Sequence, residues 1–341
     1  MVVGRFVGKE ALAAVGGSTS ILINLLVGFF VGLSSGATVI ISQFYGGKKE
    51  EGVSLSVHTA IALSLAAGIV MMVVGLAGAH LTLRAMGVPA EILGYASLYI
   101  RIYFIGMIPN LIYNMGSGIL RALGDSKRPL YFLIASCLFN IVLDLLFVIV
   151  FKMGVAGVGI ATVSSQILSA ALVVRSLMKT EECYKLEWKK VRFHRAILQR
   201  IIQIGLPAGL QSMMYNVSNV IIQSSVNTFG TDTIAAWTAY GKIDAIFWTI
   251  INAFGVSITT FAGQNFGAGK IDRVHKGIRV CLGMSAFASV VLSVSLYFGG
   301  AYIFRMFTSD PIVVEIGMDI LKFLVPFFIT YILSLIHIRC V

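Results

Sequence analysis

Charge is what this chain of 341 residues has least of. Only 12% of its residues are Asp, Glu, Lys or Arg, about half the share in an ordinary soluble domain. Hydrophobic residues make up 57%, and the mean hydropathy is +0.90. A soluble fold of this size cannot hide so much apolar surface behind so few charges. The composition therefore excludes a cytosolic enzyme, a secreted disulfide scaffold and a disordered protein. The four cysteines, Cys137, Cys183, Cys281 and Cys340, are scattered and form no CxxC pair, so they mark neither a metal site nor a disulfide framework. Five histidines, His58, His80, His194, His275 and His337, form no HExxH or other ligand pair. No cleavable signal pattern opens the chain. What remains is a helical integral membrane protein.

A spanning helix needs about 20 mostly apolar residues. Nine runs qualify, at approximately 16–43, 53–83, 91–120, 129–151, 156–178, 200–229, 233–262, 277–304 and 312–332. Several exceed what a bilayer requires, which predicts tilt or protrusion into water. None alternates apolar and polar residues as the strands of a membrane barrel do. One set of alternate loops carries seventeen basic residues, at 48–49, 121–128, 175–200 and 270–279. The other set carries five, Arg5, Lys9, Arg84, Lys152 and Arg305. The positive-inside rule assigns the richer set to the cytoplasm. The net charge of +11 is thus a topology signal, and nucleic acid is not an expected partner. This topology starts the chain outside, so Met1–Val3 reads as the stump of a preceding helix. Residues 333–341 read as a sequencing artefact, and the chain as a fragment.

Two halves echo one another. Gly8–Ala14 is similar to Gly230–Ala236 at an offset of 222. Gln43-Phe44-Tyr45-Gly46 is similar to Gln264-Asn265-Phe266-Gly267 at 221, and Arg84 and Arg101 fall on Arg305 and Lys322 at 221 again. Six spans separate equivalent points, an even number, so both halves share one orientation, a parallel repeat of the kind found in secondary transporters. The expected fold is all-α and membrane-embedded, with two pseudo-symmetric six-helix lobes. Residues 1–178 would form the N-terminal lobe, 179–199 a cytoplasmic linker and 200–332 a C-terminal lobe lacking about two helices.

No energy-coupling motif is present. The pairs Gly47-Lys48 and Gly269-Lys270 lack the first glycine and the following Ser or Thr of a P-loop, which leaves an ion gradient as the expected drive. Gly32-Leu33-Ser34-Ser35-Gly36 fits GxSxG, but it lies in an apolar helix and extends a series Gly28, Gly32, Gly36. Small residues at that spacing predict close helix packing, not a nucleophile.

Asp144 is the most telling residue. An ionised Asp at a bilayer's centre costs about 2.5–3.5 kcal/mol on insertion scales, so it marks a functional candidate. Asn140 lies one turn earlier on the same face. Such a pair could exchange a proton near neutral pH or coordinate Na⁺; a neutral, hydrogen-bonded structural Asp is the alternative. Arg101 would snorkel or pair across helices, Lys242 and Asp244 point to different faces, and Asp319 with Lys322 is expected to form a local ion pair. Beyond Gly205-Leu206-Pro207, a predicted kink, Gln211, Tyr215, Asn216 and Asn219 would line a polar cavity or bond between helices.

The stretch Gly118-Ile119-Leu120-Arg121-Ala122-Leu123-Gly124-Asp125-Ser126-Lys127-Arg128-Pro129 resembles the loop after the fourth helix of multidrug and toxic compound extrusion (MATE) transporters. Gly263-Gln264-Asn265-Phe266-Gly267-Ala268-Gly269 resembles their loop after the eighth, and Val2–Gly8 the end of their first helix. The resemblance covers nearly the whole chain to Ile332. It implies a twelve-helix, monomeric, multi-pass antiporter of the plasma (inner) membrane, not an enzyme. Such a protein exports amphipathic, often cationic small molecules around a central cavity, without a cofactor, coupled to H⁺ or Na⁺. On the family pattern, Asn140 and Asp144 on the fifth helix bind the coupling ion, and Thr162 on the sixth resembles a polar neighbour of that site. An acidic residue common on the family's first helix would fall before Met1. A lipid-linked oligosaccharide flippase of the same superfamily is the alternative, although its basic cavity would have only Arg101, Lys242 and Lys322 to draw on. An intramembrane enzyme would need a convergent nucleophile and base that the chain does not offer.

Overall fold

A computed structural model describes residues 6–306 and 310–332. The expectations for Met1–Val3 and 333–341 fall outside the described residues. Eleven α-helices follow in order: α1 (Lys9–Gly16), α2 (Ser18–Gly46), α3 (Glu50–Ala85), α4 (Ala90–Ile105), α5 (Met107–Ala122), α6 (Lys127–Leu145), α7 (Gly154–Lys179), α8 (Arg195–Val226), α9 (Thr231–Gly267), α10 (Ile271–Arg305) and α11 (Pro311–Leu324). Among the described residues there is no strand. All nine apolar runs are helical. Among the described residues six helical segments are long and apolar enough to cross a membrane singly, and a bent pair makes a seventh if it counts as one span. With 36 residues, α3 extends to about 54 Å at 1.5 Å per residue, well beyond a hydrocarbon layer of about 30 Å.

The run at 91–120 is broken. α4 and α5 meet at an angle of 50° about Gly106. A Cβ on Gly106 would overlap Gln166 Oε1, so glycine here makes room for an α7 side chain at the bend. The run at 129–151 ends differently from expectation as well: α6 gives way at Leu146–Val150 to one π-helical turn, closed by Phe151 N–H donating to the Leu146 carbonyl at 3.0 Å.

The chain divides into two compact units, 1–216 and 217–341. In the first, α2, α3, α5 and α7 surround an apolar core of Ile41, Val57, Ile61, Ile119 and Leu177. Leu186 of the linker and Ile201 of α8 close it. A second cluster, Leu83, Ile100, Phe104 and Met107, joins α3 to the α4–α5 bend. The first unit takes in the start of α8, because that part of the helix packs on α2 through glycines. A Cβ on Gly32 would lie 2.5 Å from the Gly209 backbone, and one on Gly36 would lie 2.7 Å from Gly205 N. The small-residue series is therefore a helix contact. Ser34 and Ser35 donate to the carbonyls of Val31 and Gly32 within the helix, so GxSxG forms no nucleophile turn.

In the second unit α9, α10 and α11 pack around Phe247, Ile251, Phe304 and Leu321, with Phe247 stacked on Phe328 at a ring separation of 3.8 Å. The repeat is visible in its backbone. Gly8 and Gly230 precede their helices with φ of 124° and 95°. α2 and α9 end at Gly46 and Gly267, 221 residues apart, and α3 and α10 begin at Glu50 and Ile271 at the same offset. The intervening turns share their hydrogen bonds: Lys49 N–H to the Phe44 carbonyl at 2.9 Å, and Lys270 N–H to the Asn265 carbonyl at 2.8 Å. Lys48 adopts φ 54° where its equivalent Gly269 has 71°. Asp319 and Lys322 are both exposed and do not pair, a correction to the expected ion pair. Solvation of two exposed charges competes with so weak a contact.

The glycine contact gives a stability test. Gly32→Ala places a methyl against backbone that cannot swing aside, and should cost about 1–3 kcal/mol. Gly16→Ala meets nothing within 4 Å and should be neutral or slightly stabilising. Thermal unfolding of the purified variants checks the contrast.

Candidate cation site in the first unit

Most of α6 presents apolar side chains outward: Leu130, Leu133, Leu138 and Val142 are all exposed, as lipid-facing residues are. The face that carries the buried Ser136 also carries Asn140 and Asp144, at four-residue steps. Both are partly buried, one turn apart. Asp144 Oδ1 and Asn140 Nδ2 are each buried without a hydrogen-bond partner among the described residues. A buried polar atom left unpaired costs about 1–3 kcal/mol, so two on one face call for a ligand or a purpose. The π-helical turn begins two residues after Asp144; such turns occur often at functional sites.

The walls come from α4 and α7. Tyr99, 8% exposed, is within hydrogen-bonding reach of Thr162 and in the field of Asp144. Thr162 donates its own proton to the Val158 carbonyl at 2.9 Å, which leaves its oxygen free to accept. One turn on, Tyr103 is 8% exposed on α4, and Gln166 Oε1 on α7 is a third buried atom with no hydrogen-bond partner among the described residues. The structure thus places Tyr99 near both Thr162 and Asp144, with Tyr103 and Gln166 one turn further along the same two helices. The i, i+4 pairs Tyr99/Tyr103 and Thr162/Gln166 were the signal available in the sequence.

A carboxylate, a hydroxyl, a phenol and amide oxygens form a hard, all-oxygen donor set, suited to a proton or an alkali cation and unsuited to a soft metal. Among the described residues no group of three His, Cys, Asp or Glu could hold a metal ion. The α8 residues lie elsewhere. Gln211, Tyr215 and Asn219 are exposed, and Asn216 Nδ2 turns back to the Ser212 carbonyl at 2.9 Å, against Gly28. Of the remaining ionisable residues, Arg101 and Lys242 are exposed, and Asp244 accepts from Tyr240 at 3.3 Å.

The MatE family model matches residues 1–146 and 207–339. The chain belongs to the MATE family of membrane transporters. The probable multidrug resistance protein YpnP of Bacillus subtilis (strain 168) is 31% identical over 326 residues, 96% of this chain and 73% of that protein. YoeA of the same organism, also named a probable multidrug resistance protein, is 30% identical over 319 residues, 91% and 68% of the two chains. Among solved structures, a MATE protein in the bent conformation superposes with a TM-score of 0.92 at 22% identity, covering 99% of this chain and 75% of that one. The last likeness establishes the fold: an all-α, multi-pass membrane protein.

Because Asp144 Oδ1 has no hydrogen-bond partner among the described residues, this MATE protein should tolerate Asp144→Asn. The expected change in stability is within about 1 kcal/mol of wild type. Melting of the purified variant measures it, and a drop beyond about 2 kcal/mol would reveal a structural role.

Proposed function

We propose that the protein is a secondary active multidrug exporter of the plasma membrane. It exchanges H⁺ or Na⁺ for amphipathic, often cationic compounds, acts as a monomer, and holds the 179–199 linker in the cytoplasm. The relatives named multidrug resistance proteins support the substrate class. The single observation behind the coupling is the buried, unpartnered carboxylate oxygen of Asp144 beside an equally unpartnered Asn140. A cation in place there satisfies Asp144 Oδ1 and would be held with it by the Asn140 side-chain carbonyl from the lipid-facing helix and by the Thr162 and Tyr99 oxygens from the inner ones, and so ties α6 to α4 and α7. Coupling follows if that tie favours the state with low drug affinity, since a ligand shifts an equilibrium only by its differential affinity. Loss of the ion then permits the reverse step of alternating access. Gln211, Tyr215 and Asn219, polar and exposed on α8, are the proposed drug contacts.

Dye accumulation in efflux-deficient cells expressing the full-length protein tests this reading, with wild type beside Asp144→Asn. Wild type should lower accumulation and the variant should not. Equal lowering by both would remove Asp144 from the coupling. If neither lowers it, a lipid flippase or another solute takes the exporter's place.

A further inference from the structure

Outside the cation site, one buried titratable group has both of its polar atoms engaged. His58, in the third turn of α3, is 1% exposed. Its Nδ1 lies 2.6 Å from the Ser54 carbonyl, which can only accept, so Nδ1 carries the proton. Its Nε2 lies 3.1 Å from the Glu187 backbone nitrogen, which can only donate, so Nε2 is bare. The two contacts together require one neutral tautomer. Glu187 belongs to the linker between α7 and α8, 129 residues away in sequence. The linker has two further ties: His194 N–H donates to Thr59 Oγ1 at 3.4 Å, and Leu186, 2% exposed, donates its N–H to the Leu177 carbonyl at 2.9 Å.

We propose that neutral His58 is a latch holding the α7–α8 linker against the flank of α3, and that protonation of His58 releases it. A proton on Nε2 sets an N–H donor against the Glu187 N–H donor, so the bond is lost and two like dipoles face each other. A cavity of about 270 Å³ beside the ring gives a proton access, and its charged and titratable walls are Glu51 of α3 and Lys190, Arg192 and His194 of the linker. The Glu187 carboxylate also acts on His58, but Lys190 at 2.8 Å holds it ionised and below the usual carboxylate range. His194, the other imidazole on this wall, accepts from Arg192 at Nε2 (3.2 Å). The sign is fixed by the tautomer: the linker is docked at high pH and freed as the pH falls. This goes beyond the transport reading and does not depend on it. Its place is the membrane side that the basic loops assign to the cytoplasm, where acidification would lengthen the tether between α7 and α8.

Hydrogen exchange of the full-length protein in lipid nanodiscs tests the latch, with protection corrected for the intrinsic pH dependence of exchange. From about pH 8 to about pH 5.5, protection of the Glu187 amide should fall roughly tenfold in wild type. His58→Gln keeps an acceptor near the Nε2 position and has no proton to gain, so its protection should stay flat. Thr59→Val removes a tie without a titrating group; protection should be lower at every pH with the wild-type slope retained. A flat wild type overturns the proposal. So does an equal slope in His58→Gln, which would assign the effect to His194. If His58→Gln does not fold, wild type and Thr59→Val still decide: loss of the slope in Thr59→Val overturns the latch.

Discussion

Inside a bilayer the backbone has no water to bond to, and that constraint governs the rest of this structure. Every N–H and C=O at membrane depth must find its partner in the same segment or in a neighbouring one, so the apolar runs become helices. The same solvent removes any hydrophobic drive for one helix to pack on another, so contacts depend on fit. The glycines of α2 and α8 are that fit: with no Cβ on either side, the Gly32 and Gly209 backbones meet directly. Where the ladder is interrupted, something nearby takes up the slack. At Gly106 the bend admits Gln166, and after Asp144 the π-helical turn spreads five residues over a wider coil.

Against so apolar a background, polar side chains are informative in proportion to their depth and their lack of partners. Many of the hydroxyls along these helices donate to the carbonyl three or four residues back, as Ser35, Thr59 and Thr162 do, and so need no explanation beyond their own helix. Carboxylates and amides do not satisfy themselves so easily. Single atoms of the partly buried Asn140, Asp144 and Gln166 have no partner among the described residues, whereas Asn216 and Asn114 have turned back onto their own helices. That difference, more than residue type, separates a candidate ion site from helix packing.

The apolar runs, the basic loops and the repeat were legible because each is a pattern along the chain. Helix ends matched at an offset of 221, and the left-handed backbone shared by Lys48 and Gly269 shows the repeat preserving a turn through a change of residue. The glycine series was legible as a contact but not its partner, since nothing in Gly28, Gly32 and Gly36 names Gly205 and Gly209. Asn140 and Asp144 stood out by their apolar surroundings. Tyr99 did not, because a Tyr is unremarked in a membrane helix until the fold places it near a carboxylate. The bend at Gly106 was hidden for a similar reason: an isolated glycine in an apolar run is common, and only the α7 side chain opposite makes it a break.

Two kinds of buried polar group therefore coexist in the first unit, and their difference bears on how each can respond. His58 is fully satisfied, with one proton and one lone pair each committed, so a change of charge there must break something already formed. Asp144 Oδ1 has no partner among the described residues, so a cation arriving there would break no contact seen among them. A satisfied group acts as a latch, stable until displaced; an unsatisfied one acts as a receptor, costly until filled. An empty site at this depth is a standing penalty that an apolar side chain would remove, which is the physical ground for the proposal that an ion fills it.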